Sequence, residues 1–195
     1  MKLAIIYYSS TGTNYHLALE AKAAAEEAGA EVRVLKVAEL APDAAIDSNP
    51  AWRAHINETA NVPTVSLDDL EWADAVLFGT PTRFGNVAAQ LKQFIDSTGG
   101  LWFQGKLANK VYSAYTSAQN PNGGQESTLL ALYNTIYHWG GIIVTPGYTD
   151  SKLFASGGNP YGTSVSADGS PLSDEKKEAI RIHARRMVEF AKKLA

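Results

Sequence analysis

Residues 3–14 read LAIIYYSSTGTN, and this stretch decides the fold. Residues 3–8 are apolar without a break, as in a strand buried on both faces. Residues 9–14 form a polar turn. Residues 15–28 are rich in Ala and Glu, with Leu17 and Leu19, and predict a helix that Gly29 stops. A doubly buried strand, a polar turn and a helix open a β-α-β unit, which requires a parallel sheet covered on both faces.

The same grammar repeats downstream. Residues 31–37 (EVRVLKV) alternate polar and apolar, as in a half-buried edge strand. Residues 75–79 (AVLFG), 110–115 and 142–144 predict three more strands. Helices are expected over 86–98, with Val87, Leu91, Phe94 and Ile95 on one face, over 126–139, and over 173–194 capped by Ser173. Ser66 and Asp69 are spaced as in a capping box that starts a one-turn helix. Residues 38–65 and 145–172 read as long loops, the first with a short helix near Trp52. The order βαβαβαβαβα predicts a single α/β domain over 1–195 with a doubly wound, five-stranded parallel sheet. Ligands of such sheets sit beyond the carboxyl ends of the strands. The loops that begin at Ser9, Thr80, Thr116 and Thr145 are therefore the ones to read for chemistry.

Bulk composition narrows the function. The hydrophobic share is 45% and the charged share 19%, which is ordinary for a globular protein. The net charge of −3 is too mild to propose a nucleic-acid partner. The one dense basic stretch, 181–186, reads as a solvated helix face. Absence of cysteine excludes disulfides, thiol catalysis and cysteine-held metal. No stretch approaches the ~20 apolar residues of a membrane span, so a soluble cytoplasmic protein is expected. His16, His55 and His183 lack metal-ligand spacing and read as surface or helix residues. No Gly-x-Ser-x-Gly pattern supports a serine hydrolase.

Ser9, Ser10, Thr11, Gly12, Thr13 and Asn14 join a buried strand to a helix. Hydroxyls, one amide, a glycine and the free N–H groups of a helix start make a phosphate site. The loop has neither the lysine of a triphosphate loop nor the Gly-x-Gly-x-x-Gly of a dinucleotide fold, which suits one monoester phosphate. Simple helix capping is the plain alternative. A phospho-acceptor receiver domain would need acidic residues where Tyr7, Tyr8 and Ser9 stand. After the third strand, Pro81 stiffens a loop in which Gly85 permits close approach, Phe84 can cover an aromatic ring and Arg83 can lie beside one.

GTPTRFGN at 79–86, GGLW at 99–102 and GGQE at 123–126 together resemble the WrbA-type NAD(P)H:quinone oxidoreductases, with matching spacing over nearly the whole chain. The resemblance implies a flavodoxin-like sheet of order 2-1-3-4-5, one FMN per chain, NAD(P)H as donor, a quinone as acceptor, and a homotetramer. It places the phosphate on residues 9–14 and the isoalloxazine on Pro81, Thr82, Arg83, Phe84 and Gly85. A third flavin loop falls on Ser117, Ala118, Gln119, Asn120 and Gly123, a flavin-side histidine on His138, and a substrate-side tryptophan on Trp102. Two departures stand out. The family often has Tyr-Gly-His where this chain has Thr11, Gly12 and Thr13, which leaves the nicotinamide contact to Thr11. The third loop, usually a Ser/Thr/Gly run, here contains Gln119 and Asn120 and is one residue longer.

The activity so implied is two-electron transfer from NAD(P)H to a quinone by a ping-pong route, with no side chain acting as nucleophile. A passive electron carrier or a flavin-bearing regulatory protein is the alternative, although carriers of this fold are usually more acidic. Trp52, Phe154 and Tyr161, on the two long segments, read as subunit-interface anchors.

Overall fold

The computed structural model describes residues 1–194. Strands β1 (Lys2–Tyr7), β2 (Glu31–Lys36), β3 (Ala75–Pro81), β4 (Val111–Ala118) and β5 (Ile142–Ile143) lie in the order β2-β1-β3-β4-β5, all parallel. The side chains of β1 show why residues 3–8 had to be continuously apolar. Leu3, Ile5 and Tyr7 face one core, with Leu17 and Ala21 of α1 (Thr13–Glu27) and Ile180 and Met187 of α9 (Asp174–Leu194). Ala4, Ile6 and Tyr8 face the other, with Leu70 of α4 (Leu67–Trp72), Leu91 of α5 (Ala89–Asp96) and Leu132 of α7 (Gln125–Trp139). A strand with period-two side chains has no polar position left when both faces are covered. Edge strand β2 packs Val32 and Val34 against one core and Leu35 against the other, while Glu31 and Arg33 stay exposed, and so it alternates.

The capping box forms as expected, with both the backbone N–H and the hydroxyl of Ser66 donating to Asp69 Oδ2. The two expected long loops are different. Residues 38–65 contain α2 (Asp43–Asp47) and α3 (Pro50–Glu58). Asn49 caps α3, accepting from Ala51 N at 3.1 Å, and Pro50 occupies the first turn where no N–H is needed. Arg53 of α3 binds Asp47 and Asp43, both at 2.6 Å, and so ties the helices together. Residues 99–103, quoted above only for the GGLW motif, form the short α6 (Gly99–Phe103).

Residues 145–172 contain α8 (Lys152–Ala155) and a sixth strand, β6 (Ser164–Ser166). The sheet is thus six-stranded, not five-stranded. Strand β5 pairs with only Val111 and Tyr112 of β4, and the chain then leaves the sheet. It returns as β6 against Thr116, Ser117 and Ala118. Two segments share one edge of β4, and the second lies at its carboxyl end. The basic stretch is also less free than a solvated face. Arg181 pairs with Glu20 and Glu27, Arg185 with Glu178, and Arg186 donates to the Thr145 carbonyl.

Docking of the return segment depends on Gly162. A Cβ there would lie 2.2 Å from the Ala114 carbonyl oxygen of β4, and a backbone atom inside the sheet cannot yield. Gly162→Ala is expected to lower unfolding free energy by about 3 kcal/mol, measured by urea denaturation. A midpoint within error of the parent would show that this segment is not packed on β4 as described.

Candidate functional site

Three loops converge at the carboxyl ends of β1, β3 and β4, around a cleft of about 560 Å³. From the first come Ser9, Ser10, Thr11, Thr13 and Asn14; from the second Pro81, Thr82, Arg83 and Phe84; from the third Ser117, Ala118, Gln119, Asn120 and Gly123. Nearly every residue assigned to a cofactor from sequence is brought together here. A cleft of similar size, about 580 Å³, lies along Glu126, Ser156 and Lys176 and contains none of them, so size does not distinguish the site.

The first loop is pre-shaped. Gly12 has φ 98°, a left-handed value that a glycine adopts without steric cost, and its N–H donates to Ser9 Oγ at 3.1 Å. No side chain caps α1 among the described residues, so first-turn N–H groups are left for a ligand. Asn14 is 1% exposed, and its Nδ2 donates to the Tyr8 carbonyl at 3.2 Å. Tyr115 of β4 passes over Gly79, where a Cβ would lie 2.2 Å from its ring, and its hydroxyl donates to the Asn14 carbonyl at 2.9 Å. Asn14 Oδ1 is buried with no partner among the described residues. An orphaned acceptor on a residue that lines the cleft suits a ligand hydroxyl.

The second and third loops are joined by the sheet itself. Thr82 N donates to the Ser117 carbonyl at 2.8 Å, and the Thr82 hydroxyl meets Thr128 and the Gly124 carbonyl. Gly85 and Gly124 let the loops touch: a Cβ on Gly124 would lie 2.9 Å from Gly85 Cα. Phe84 and Gly85 both have positive φ, 53° and 76°, in a tight turn closed by bonds between Arg83 and Asn86. For phenylalanine this backbone is strained, and it leaves the ring fully exposed at the cleft rim. Arg83 is the one charged side chain lining the cleft among the described residues, and its Nη2 lies 3.4 Å from Ser10 Oγ. In the third loop, Asn120 Oδ1 accepts from Asn122 N and its carbonyl accepts from Gln125 Nε2.

Two assigned residues lie elsewhere. His138 is in the last turn of α7, and its carbonyl accepts from Trp102 Nε1 at 2.9 Å. Neither lines the cleft. Three residues that the sequence did not assign do line it: Asn49, Trp52 and Ala167. Trp52, expected at a subunit interface, is held at the cleft by Glu39. That carboxylate accepts from Trp52 Nε1, the Tyr8 hydroxyl, Gln90 Nε2 and the backbone N–H groups of Leu40 and Ala41. Burial alone would raise the Glu39 pKa, but these donors more than offset it and hold it below the usual range. Burial and the adjacent carboxylate push the Tyr8 hydroxyl up, so it stays a donor. The Asn49–Pro50 pair signals a helix start, but nothing local in the sequence says where that helix docks.

Residues 1–151 match the family model of NADPH-dependent FMN reductases. The chain is 56% identical over its full length to a protein of Deinococcus radiodurans named NAD(P)H dehydrogenase (quinone), covering 97% of it. It is 40% identical to a protein of the same name from Aromatoleum aromaticum, again over the whole chain and 97% of that protein. A flavodoxin-type, WrbA-like structure from Agrobacterium tumefaciens superposes with a TM-score of 0.68 at 23% identity, over 100% of this chain and 99% of that one, and shares the fold. With the three loop motifs, these matches mean that the chain belongs to the WrbA-type NAD(P)H dehydrogenases (quinone) of the NADPH-dependent FMN reductase family.

Proposed function

We propose that this protein is an FMN-dependent NAD(P)H:quinone oxidoreductase in which donor and acceptor use one pocket in turn. The observation that carries the reading is the convergence of three neutral, hydroxyl- and amide-bearing loops on one cleft with a single arginine. The residues fit FMN. The uncapped start of α1 and the hydroxyls of Ser9, Ser10, Thr11 and Thr13 suit a monoester phosphate. The orphaned Asn14 Oδ1 suits a ribityl hydroxyl. The loops at 81–85 and 117–123 suit a flat ring system, with Gln119 and Asn120 amides for its polar edge.

FMN, when bound, would supply the two-electron redox chemistry between NAD(P)H and a quinone. The chain orients and excludes. Arg83 places positive charge beside the cleft, where it stabilises negative charge on a reduced ligand. Phe84 presents an exposed face on which a nicotinamide or a quinone stacks. Thr11 borders the same opening and is the candidate nicotinamide contact. The chain has no dinucleotide fingerprint, which favours loose NAD(P)H binding against the flavin face over a separate site.

His138 and Trp102 enter this reading through assembly. Trp102 is 51% exposed and lies away from its own cleft, with Phe103, Tyr137, Tyr148 and Phe154 also exposed. Such aromatics favour a homotetramer in which Trp102 and His138 act beside the cleft of another copy. The protein is proposed to work in the cytoplasm; among the described residues no helix is long and apolar enough to cross a membrane.

The test is steady-state kinetics on the FMN-loaded protein with NAD(P)H and benzoquinone both varied. Parallel double-reciprocal lines are expected. Intersecting lines would rule out the shared pocket, and no quinone-dependent NAD(P)H oxidation would return the protein to the carrier class.

A further inference from the structure

The phosphate loop contains no lysine or arginine, and Arg83 reaches it only at Ser10. Behind its central glycine the chain gathers two imidazoles. A Cβ on Gly12 would lie 3.3 Å from His16 Cε1 and 3.6 Å from His55 Nδ1. His16 is on α1, one turn after Gly12, while His55 arrives from α3. Glu58 joins them, with Oε1 3.6 Å from His16 Nε2 and Oε2 3.4 Å from His55 Nδ1. Tyr15 packs on both rings, with centroids 5.7 Å and 5.6 Å away.

Resting on the FMN reading above, we infer that His16, Glu58 and His55 are the titratable charge of the phosphate site, so that binding a phosphate-bearing flavin draws protons onto this cluster. With both rings neutral the cluster carries −1, set by Glu58, which opposes a phosphate dianion across Gly12. Each proton taken up on an imidazole raises that charge by one. A dianion favours the protonated cluster, and by linkage the protonated cluster favours the dianion by the same factor.

Other charged groups also face these rings. His55, 4% exposed, is bordered by Lys36 of β2, by Tyr7 of β1 and by His16. Burial lowers its pKa, and Glu58 opposes that shift. His16 shares an outer groove with Glu20 of α1 and Lys177 of α9, and this groove also reaches Thr11 and Thr13 of the loop. Lys36 is committed to the Thr59 carbonyl at 2.6 Å, and Glu20 to Arg181 at 3.3 Å. The group bridging the two imidazoles is therefore Glu58.

The test is the dissociation constant of FMN and of riboflavin from the full chain, stripped and reloaded, between pH 5.5 and 8.5. The phosphate's own ionisation, near pH 6, cancels in ratios between variant and parent. His16→Gln removes a half-exposed ring. Its FMN affinity should match the parent at pH 8.5 and be about three- to tenfold weaker at pH 5.5. Glu58→Gln should bind FMN about threefold more tightly than the parent at pH 8.5, a gain that misfolding cannot mimic. Neither ratio should appear with riboflavin. Ratios that stay constant across pH, or that are equal for the two flavins, would overturn the assignment. FMN binding that is absent at every pH would instead remove the cofactor reading on which it rests.

Discussion

Thr13→Glu is expected to lose FMN while keeping its fold. Thr13 is the first residue of α1 and lines the cleft beside Ser10 and Thr11. A carboxylate there occupies the place of the phosphate and repels it. One pair of like charges about 4 Å apart costs about 4 kcal/mol at an effective dielectric constant of about 20. The affinity for FMN should therefore fall on the order of 100-fold or more, by fluorescence titration of the flavin-free protein. The fold should tolerate the change, since an acidic residue in a helix's first turn is favourable by about 0.5 kcal/mol. Riboflavin, lacking the phosphate, should lose far less. A variant that keeps normal FMN affinity would place the phosphate elsewhere and break the match between the 9–14 loop and the cofactor.

The second large effect concerns His183, expected from sequence to be an ordinary helix residue and found completely buried. Its Nε2 is 2.6 Å from Ser113 Oγ of β4, and its Nδ1 is 3.1 Å from Thr163 Oγ1 just before β6. The ring joins α9 to the strand and to the returning segment that completes the sheet. Burial drives its pKa down to about 3, against the opposing pull of the Val144 backbone. In the folded protein it stays neutral, whereas in the unfolded chain it protonates near pH 6.5. Its contribution to stability is therefore complete above pH 6.5 and is lost progressively down to about 3. The slope is about 1.4 kcal/mol per pH unit. Between pH 6.5 and 5, before most carboxylates titrate, this one group should cost about 2 kcal/mol. His183→Gln keeps a donor and an acceptor but removes the titration. It should be less stable at pH 7.5, and its disadvantage should shrink by about 2 kcal/mol by pH 5. Urea denaturation of both proteins at each pH gives the answer. A constant gap would mean that the folded ring is protonated, contrary to its burial.

The legible part of the fold was the part written in short periods. Residues 3–8 could only be a strand covered twice, because a six-residue run with no polar position satisfies two faces at once. The alternation of residues 31–36 put that strand at the edge, where the sheet has it. The loops proposed to hold the cofactor were legible for a related reason. Each lies directly after a strand, and in a parallel sheet all such loops emerge on the same side. Ser9–Asn14, Pro81–Phe84 and Ser117–Asn120 meet in one cleft because β1, β3 and β4 are neighbours.

Residues 164–166 carry no pattern of their own; they are a strand because Thr116 to Ala118 offer an unpaired edge once β5 stops at Ile143. Trp52 looked like any aromatic on a loop, and its place at the cleft is decided by Glu39, which also gathers Tyr8 and Gln90 from two other elements. His138 and Trp102 carried a family role by motif, yet within one chain they bond to each other outside the cleft. Local pattern specified five strands, the longer helices and the polar character of three loops, because those depend on residues within a few positions of one another. The sixth strand, the buried ring of His183, and the histidine pair behind Gly12 were decided only by tertiary structure. Each depends on contacts between residues dozens of positions apart, and no local period records which distant partner will satisfy a polar group.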